Sequence, residues 1–194
     1  MWEYATPGIP DDLFITEKDV PITKEEIRAI IISKLRLRRN FSVIDVGCGS
    51  GSVTVEICMQ TQNNQVYAID FDNKAIDLTK RNLERFGVYA NIISGTAQEV
   101  LSSLPIVDAI FVGGTWGKTE AIINLAIQKL RSGGRLVIST ILIETMYHAI
   151  NAIDTKTVKD IDISQIIISK SKKVTTGTMM LARNPILIVS ATKI

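Results

Sequence analysis

The stretch Val43-Ile44-Asp45-Val46-Gly47-Cys48-Gly49-Ser50-Gly51 decides how this chain is read. A short run of buried-strand character enters a turn with glycine at every second position, and a helical pattern begins near Ser52. Glycines at that spacing permit a tight turn on which a ligand lies directly against backbone, where a Cβ would collide with it. The next apolar run, Val66 to Ile69, closes on Asp70. That position is about 20 residues past the loop, where a carboxylate accepts hydrogen bonds from the two ribose hydroxyls of an adenosine. Together the two signals predict a strand-loop-helix-strand unit that binds an adenosine compound.

Outward from this unit, short apolar runs alternate with helical patterns, as expected for a mostly parallel sheet built from βαβ units. Strands are predicted at 42–46, 65–70, 90–94, 108–113 and 135–140, with helices in the intervals and another over 141–153. Two further β-rich runs, 162–170 and 178–191, have no helix between them and are expected to pair antiparallel. The predicted fold is α/β, Rossmann-like, with a seven-stranded mostly parallel sheet and an antiparallel C-terminal hairpin strand. Positions 170–178 read as its exposed, mobile connection. Upstream, residues 1–22 hold three of the five prolines and read as an irregular arm. Thr23 and Glu26 have capping-box spacing, and Ile27, Ile30, Ile31 and Leu35 follow at helical spacing.

Composition narrows the function classes. A chain of 194 residues is expected to form one domain, 1–194, including its arm. Lys plus Arg number 22 against 20 for Asp plus Glu, a net charge of +2 that argues against a nucleic-acid partner. The only cysteines, Cys48 and Cys58, suggest neither a disulfide framework nor a metal site, and fit a reducing, cytoplasmic setting. The N-terminus has neither basic nor apolar leader character, and no run approaches the roughly 18 apolar residues of a membrane span. A soluble, unprocessed protein is expected.

A dinucleotide fingerprint wants G-x-G-x-x-G or alanine, and this loop has Ser52 at the last position. Its leading Asp45 gives D-x-G-x-G-x-G, which resembles motif I of class I methyltransferases. That resemblance implies S-adenosylmethionine in preference to NAD. More specific are GIPDD (8–12), PITKEEIR (21–28), VGGT (112–115), ILIETM (141–146) and GTMMLARNP (177–185). With these, nearly the whole chain resembles the decarboxylating cobalt-precorrin methyltransferases of cobalamin biosynthesis. The resemblance implies methylation of a cobalt-precorrin-6B type tetrapyrrole at C15, loss of carbon dioxide from the C12 acetate to give cobalt-precorrin-7, and a homotetramer. It also implies cofactor contacts at Thr23, Gly47, Cys48, Gly49, Ser50, Gly51, Asp70 and Ala97. Thr96 stands where family members often carry an acidic residue. Because the substrate bears many carboxylates, Arg28 and Arg183 are candidates to orient it, and Glu144 is a candidate for the cleft wall.

The sulfonium is already an activated donor, so no strong base is demanded, and no residue stands out as the acid that protonates the ring. His148 reads as structural or exposed, Cys48 as a small spacer, Met179 and Met180 as strand core, and Lys170, Lys172 and Lys173 as a solvated hairpin. Trp116 follows the fourth strand, where stacking on a macrocycle and plain packing are both open. Three alternatives remain: a methyltransferase acting on another small molecule, RNA or protein; an NAD-linked oxidoreductase; and a non-catalytic adenosyl-ligand binding module.

Overall fold

The computed structural model describes residues 2–194; residue 1, the first of the arm, lies outside the described residues. In chain order the elements are α1 (Glu25–Leu35), β1 (Val43–Val46), α2 (Ser52–Thr61), β2 (Val66–Asp70), α3 (Asn73–Phe86), β3 (Asn91–Ser94), α4 (Ala97–Leu101) and β4 (Val107–Val112). They continue with α5 (Thr119–Lys129), β5 (Leu130–Thr140), α6 (Ile143–Ala152), β6 (Val158–Ile166), β7 (Ser169–Val174), β8 (Gly177–Ala182) and β9 (Ile186–Lys193). Seven strands form one sheet in the order β3-β2-β1-β4-β5-β9-β6, and β7 and β8 form a separate hairpin. The first five of these strands are parallel, and β9 runs antiparallel between β5 and β6.

Helices cover both faces of the sheet, so its central strands are apolar at consecutive positions. Ile44, Val46, Ile110 and Val112 face one way and pack with Leu101 of α4, Ile123 and Ile127 of α5, and Met146 of α6. Val43, Ala109, Phe111 and Val137 face the other way and meet Ile31 and Leu35 of α1, Val55 and Ile57 of α2, and Leu83 and Phe86 of α3. This alternation is the two-residue period of a strand, and each fully buried aliphatic side chain stabilises the fold by about 1.5–3 kcal/mol. α3 buries Ala75, Leu78, Thr79, Asn82, Leu83 and Phe86 along one stripe. Its start is fixed by the Asp72 carboxylate, which accepts from the Lys74 N–H at 2.9 Å, and its end by Gly87 in the left-handed region. β1 and β4 are neighbours, and the chain runs from β1 to β2 on one side of the pair and from β4 to β5 on the other. A crevice therefore opens beyond the C-terminal ends of β1 and β4.

The structure corrects several local expectations. No capping box forms at Thr23: α1 is capped by Lys24 without a side-chain bond, and its Glu25 N–H donates instead to Asp11 Oδ1 at 2.9 Å. Glu26 is drawn away by Lys170 and Arg183. The expected strand over 178–191 is two strands separated by Arg183-Asn184-Pro185, where proline has no N–H to donate to a ladder. The predicted connection over 170–178 is mostly paired, with Lys170 opposite Leu181 and Val174 opposite Gly177. Met179 and Met180 are not core, since their hairpin stands off the main sheet and leaves both exposed. Among the described residues, no helix is long and apolar enough to cross a membrane.

Candidate active site

Gly47 ends β1 at the crevice with φ +76°, and a Cβ there would lie 2.8 Å from the backbone nitrogen of Gly114, just past β4. At Gly51, φ is +74° and a Cβ would lie 2.9 Å from the Thr79 side chain. The collision that demands glycine here is thus with the protein itself, because the loop is wedged between the β4 loop and α3. α3 also holds the loop from behind: Thr79 Oγ1 donates to the Gly49 carbonyl at 2.9 Å, and Asn82 Nδ2 donates to the Ser50 carbonyl at 2.8 Å. Sequence reading missed Thr79 and Asn82. Their signal was two polar residues, three apart, on the buried stripe of an otherwise ordinary amphipathic helix.

Asp70, 9 % exposed, sits at the end of β2 with Oδ2 accepting from the Gly49 N–H and Oδ1 from the Asp72 N–H, both at 3.0 Å. Two backbone donors fix the carboxylate while lone pairs on each oxygen remain for a ligand. Asp70 lines a cavity of about 470 Å³ with Gly47, Phe71, Gly95, Ala97 and Trp116. A neighbouring cavity of about 890 Å³ begins on the other side of Gly47 and Trp116. Thr23, Cys48, Gly49 and Ser50 line it, with Ile138, Ile141, Leu142, Ile166, Ile168 and Ile186 as apolar wall. The titratable side chains among its described lining are Lys24, Cys48 and Arg183. Burial and the nearby carboxylates of Asp45 and Asp70 push the Cys48 thiol far up, outweighing the Thr79 hydrogen bond, so it stays protonated.

Asp45, the residue that favoured a sulfonium ligand, lines neither cavity. It is fully buried behind β1, where Oδ2 accepts from Thr54 Oγ1 at 2.6 Å and Oδ1 has no partner among the described residues. Burial raises its pKa to about 7, against the Thr54 hydrogen bond and with the help of the Asp70 charge. Ser50 Oγ is likewise buried and unpartnered, but in a residue that lines the larger cavity.

The candidate substrate residues separate. Arg183 is at the cavity rim, with Nη1 3.3 Å from Glu26. Arg28 is not: it is 0 % exposed and cannot meet a substrate at the mouth. Its guanidinium pairs with Glu56 at 2.9 Å and Asp11 at 3.0 Å, donates to the carbonyls of Thr23 and Ile9, and lies over the Phe14 ring. Glu56 also accepts from the N–H groups of Gly8 and Ile9. One arginine thereby explains two of the sequence motifs, GIPDD and PITKEEIR, as a tie between the arm, α1 and α2. Glu144 is exposed in the first turn of α6 and outside the lining, which takes Ile141, Leu142 and Thr145 instead. Gly51 lines neither cavity and serves the loop's packing. His148 is exposed and bonded through Nδ1 to Glu120 at 2.9 Å.

This architecture meets known proteins along nearly its full length. Residues 13–193 match the precorrin methyltransferase domain family. The chain belongs to that family. A probable cobalt-precorrin-6B C(15)-methyltransferase (decarboxylating) from Saccharolobus solfataricus is 45% identical over 196 residues, covering 99% of this chain and 98% of that one. The crystal structure of a precorrin-8W decarboxylase from Methanobacterium thermoautotrophicum superposes with a TM-score of 0.89 at 35% identity, covering 96% and 100% of the two chains. A precorrin-6Y C5,15-methyltransferase structure from Geobacter metallireducens gives 0.90 at 30%, covering 99% and 100%. The fold is that of class I methyltransferases, and the chain is a methyltransferase.

Proposed function

We propose that this chain methylates C15 of cobalt-precorrin-6B from S-adenosylmethionine and releases the C12 acetate carboxyl as carbon dioxide, giving cobalt-precorrin-7. The observation that carries the reading is the pair of cavities meeting at Gly47. One is floored by a positioned carboxylate, and the other is large, apolar and cationic at its rim.

The residues present fit the donor. Asp70 has lone pairs left for the ribose hydroxyls, and Ala97, beside Gly95 and Thr96, faces the same space for the adenine. Thr23, Gly49 and Ser50 line the adjoining cavity and are read as the side that receives the polar tail. When bound, the donor supplies a methyl group already activated on a sulfonium. The acceptor carbon forms the new C–C bond as the C–S bond breaks, and the apolar wall keeps water out. In the decarboxylation the electron pair of the broken C–C bond passes into the conjugated macrocycle, which takes up a proton. Arg183 and Lys24 orient the acceptor's carboxylates by charge-assisted hydrogen bonds. The titratable side chains among the described lining of the larger cavity are Lys24, Cys48 and Arg183, so the reading assigns catalysis to positioning.

The chain is read as a single domain, 1–194, working in the cytoplasm as a homotetramer. The exposed apolar side chains of Val174, Met179, Met180 and Leu181 on the β7–β8 hairpin support an assembly. The test of function is transfer of label from methyl-labelled S-adenosylmethionine to anaerobic cobalt-precorrin-6B. Label in the tetrapyrrole supports the reading. A folded sample that binds S-adenosylhomocysteine yet transfers none overturns the acceptor, and one that binds NAD in its place overturns the donor.

A further inference from the structure

Trp116 is the one aromatic residue among the described lining of the larger cavity, and it lines the smaller cavity too. It lies where the two spaces meet, opposite an aliphatic wall that includes Ile138, Ile141 and Leu142. Although bulky and apolar, it is 78 % exposed and has φ +45°, a left-handed backbone that is costly for such a residue. The turn that imposes this is well fixed: Thr115 and Thr119 share a hydroxyl hydrogen bond at 2.8 Å, and the Lys118 N–H donates to the Thr115 carbonyl at 2.9 Å. Phe71 supports the indole from the smaller-cavity side in an edge-to-face pair, centroids 4.9 Å apart and planes at 85°. Whichever ring supplies the edge, at least one indole face stays open. Strain and exposure of a large aromatic are both costs in the free protein, and the single edge-to-face contact with Phe71 offsets only part of them.

We infer that Trp116 is a specificity-determining residue for the acceptor: its open indole face stacks on the flat conjugated macrocycle and sets that plane beside the donor methyl at the junction of the cavities. The inference rests on the proposed acceptor. Stacking on an aromatic side chain is expected to strengthen binding of a planar acceptor by about tenfold. It selects planar π-systems over saturated acceptors of similar charge, which the cationic rim alone does not do.

The chain has two tryptophans, and Trp2 lies on the arm with its Nε1 donating to the Thr6 carbonyl, so Trp2→Phe leaves Trp116 as the sole indole emitter. This variant, loaded with S-adenosylhomocysteine to block turnover, is titrated anaerobically with cobalt-precorrin-6B. Affinity is read independently by calorimetry, and free N-acetyltryptophanamide corrects for absorption by the tetrapyrrole. Saturable quenching of Trp116 is expected. Trp116→Leu is expected to weaken tetrapyrrole binding about tenfold, and Trp116→Phe by no more than about threefold, with a smaller change in S-adenosylhomocysteine affinity than in tetrapyrrole affinity in each variant. Equal tetrapyrrole affinity in the leucine variant overturns the role of Trp116 and leaves the proposed function standing. So does a leucine variant, folded by circular dichroism, that loses S-adenosylhomocysteine in place of tetrapyrrole. A parent protein that binds S-adenosylhomocysteine but no tetrapyrrole overturns both.

Discussion

Three charged residues divide the labour between ligand and fold. Asp70→Ala is expected to lower S-adenosylhomocysteine affinity by about tenfold or more through loss of the ribose acceptor, read by calorimetry. Because Gly49 and Asp72 also donate to this carboxylate, the variant should lose some thermal stability as well. Arg28→Met strands the Glu56 and Asp11 carboxylates and is expected to cost about 3–5 kcal/mol in denaturant unfolding. S-adenosylhomocysteine affinity per folded molecule should stay near that of the parent; a drop in affinity without a drop in stability would contradict the structural assignment. Asp45 carries a pH signature. Its pKa is raised by burial from 3.8 to about 7, so the folded state holds the proton more tightly than the unfolded chain. Its contribution is therefore complete below about pH 4 and is lost as pH rises through 7, at up to about 1.4 kcal/mol per pH unit. Asp45→Asn, which mimics the protonated acid, should remove that part of the pH dependence in unfolding curves recorded across this window. Asp70 was legible in the sequence because a strand-terminal carboxylate after a glycine loop has one obvious use. The fate of Arg28 was not, because nothing local reveals that Glu56 and the 8–11 backbone converge on it.

Elements were legible where one rule dominated. The five parallel strands and their helices follow from the alternation of short apolar runs with helical periodicity, since burial on both faces leaves β1 apolar at Val43, Ile44 and Val46, interrupted only by the buried Asp45. Where two interactions competed, local rules failed. Thr23 and Glu26 have the spacing of a capping box, but Glu26 is bonded across space to Lys170 of β7 and to Arg183 just past β8. Partial burial raises the pKa of Glu26, yet the hydrogen bond from Lys170, its own backbone N–H, and the Lys170 and Arg183 charges together hold it below the ordinary value. This bridge is consequently present above the usual glutamate range and is lost as pH falls through the depressed pKa. Glu26→Gln is expected to loosen the hairpin's hold on α1, seen as faster amide hydrogen exchange across β7 and β8 with β1 and β4 unaffected. Uniform exchange in the two proteins would show that the bridge does not anchor the hairpin.

At the scale of the whole molecule, the sheet order places Gly47 and Gly114 side by side at the switch point, and both cavities open there. The hairpin, by contrast, leaves Met180 62 % exposed on one face and Val174, Met179 and Leu181 exposed on the other. If these side chains hold copies of the chain together, Met180→Lys is expected to lower the molar mass in solution measured by light scattering, with far-ultraviolet circular dichroism unchanged. An unaltered mass would place the assembly surface elsewhere. The central claim concerns chemistry, and it is tested most directly by the mass of the tetrapyrrole after anaerobic incubation of the protein with cobalt-precorrin-6B and S-adenosylmethionine. A product that has gained one methyl group and lost one carbon dioxide is the predicted result. An unaltered tetrapyrrole, recovered from protein that still binds S-adenosylhomocysteine, would contradict it.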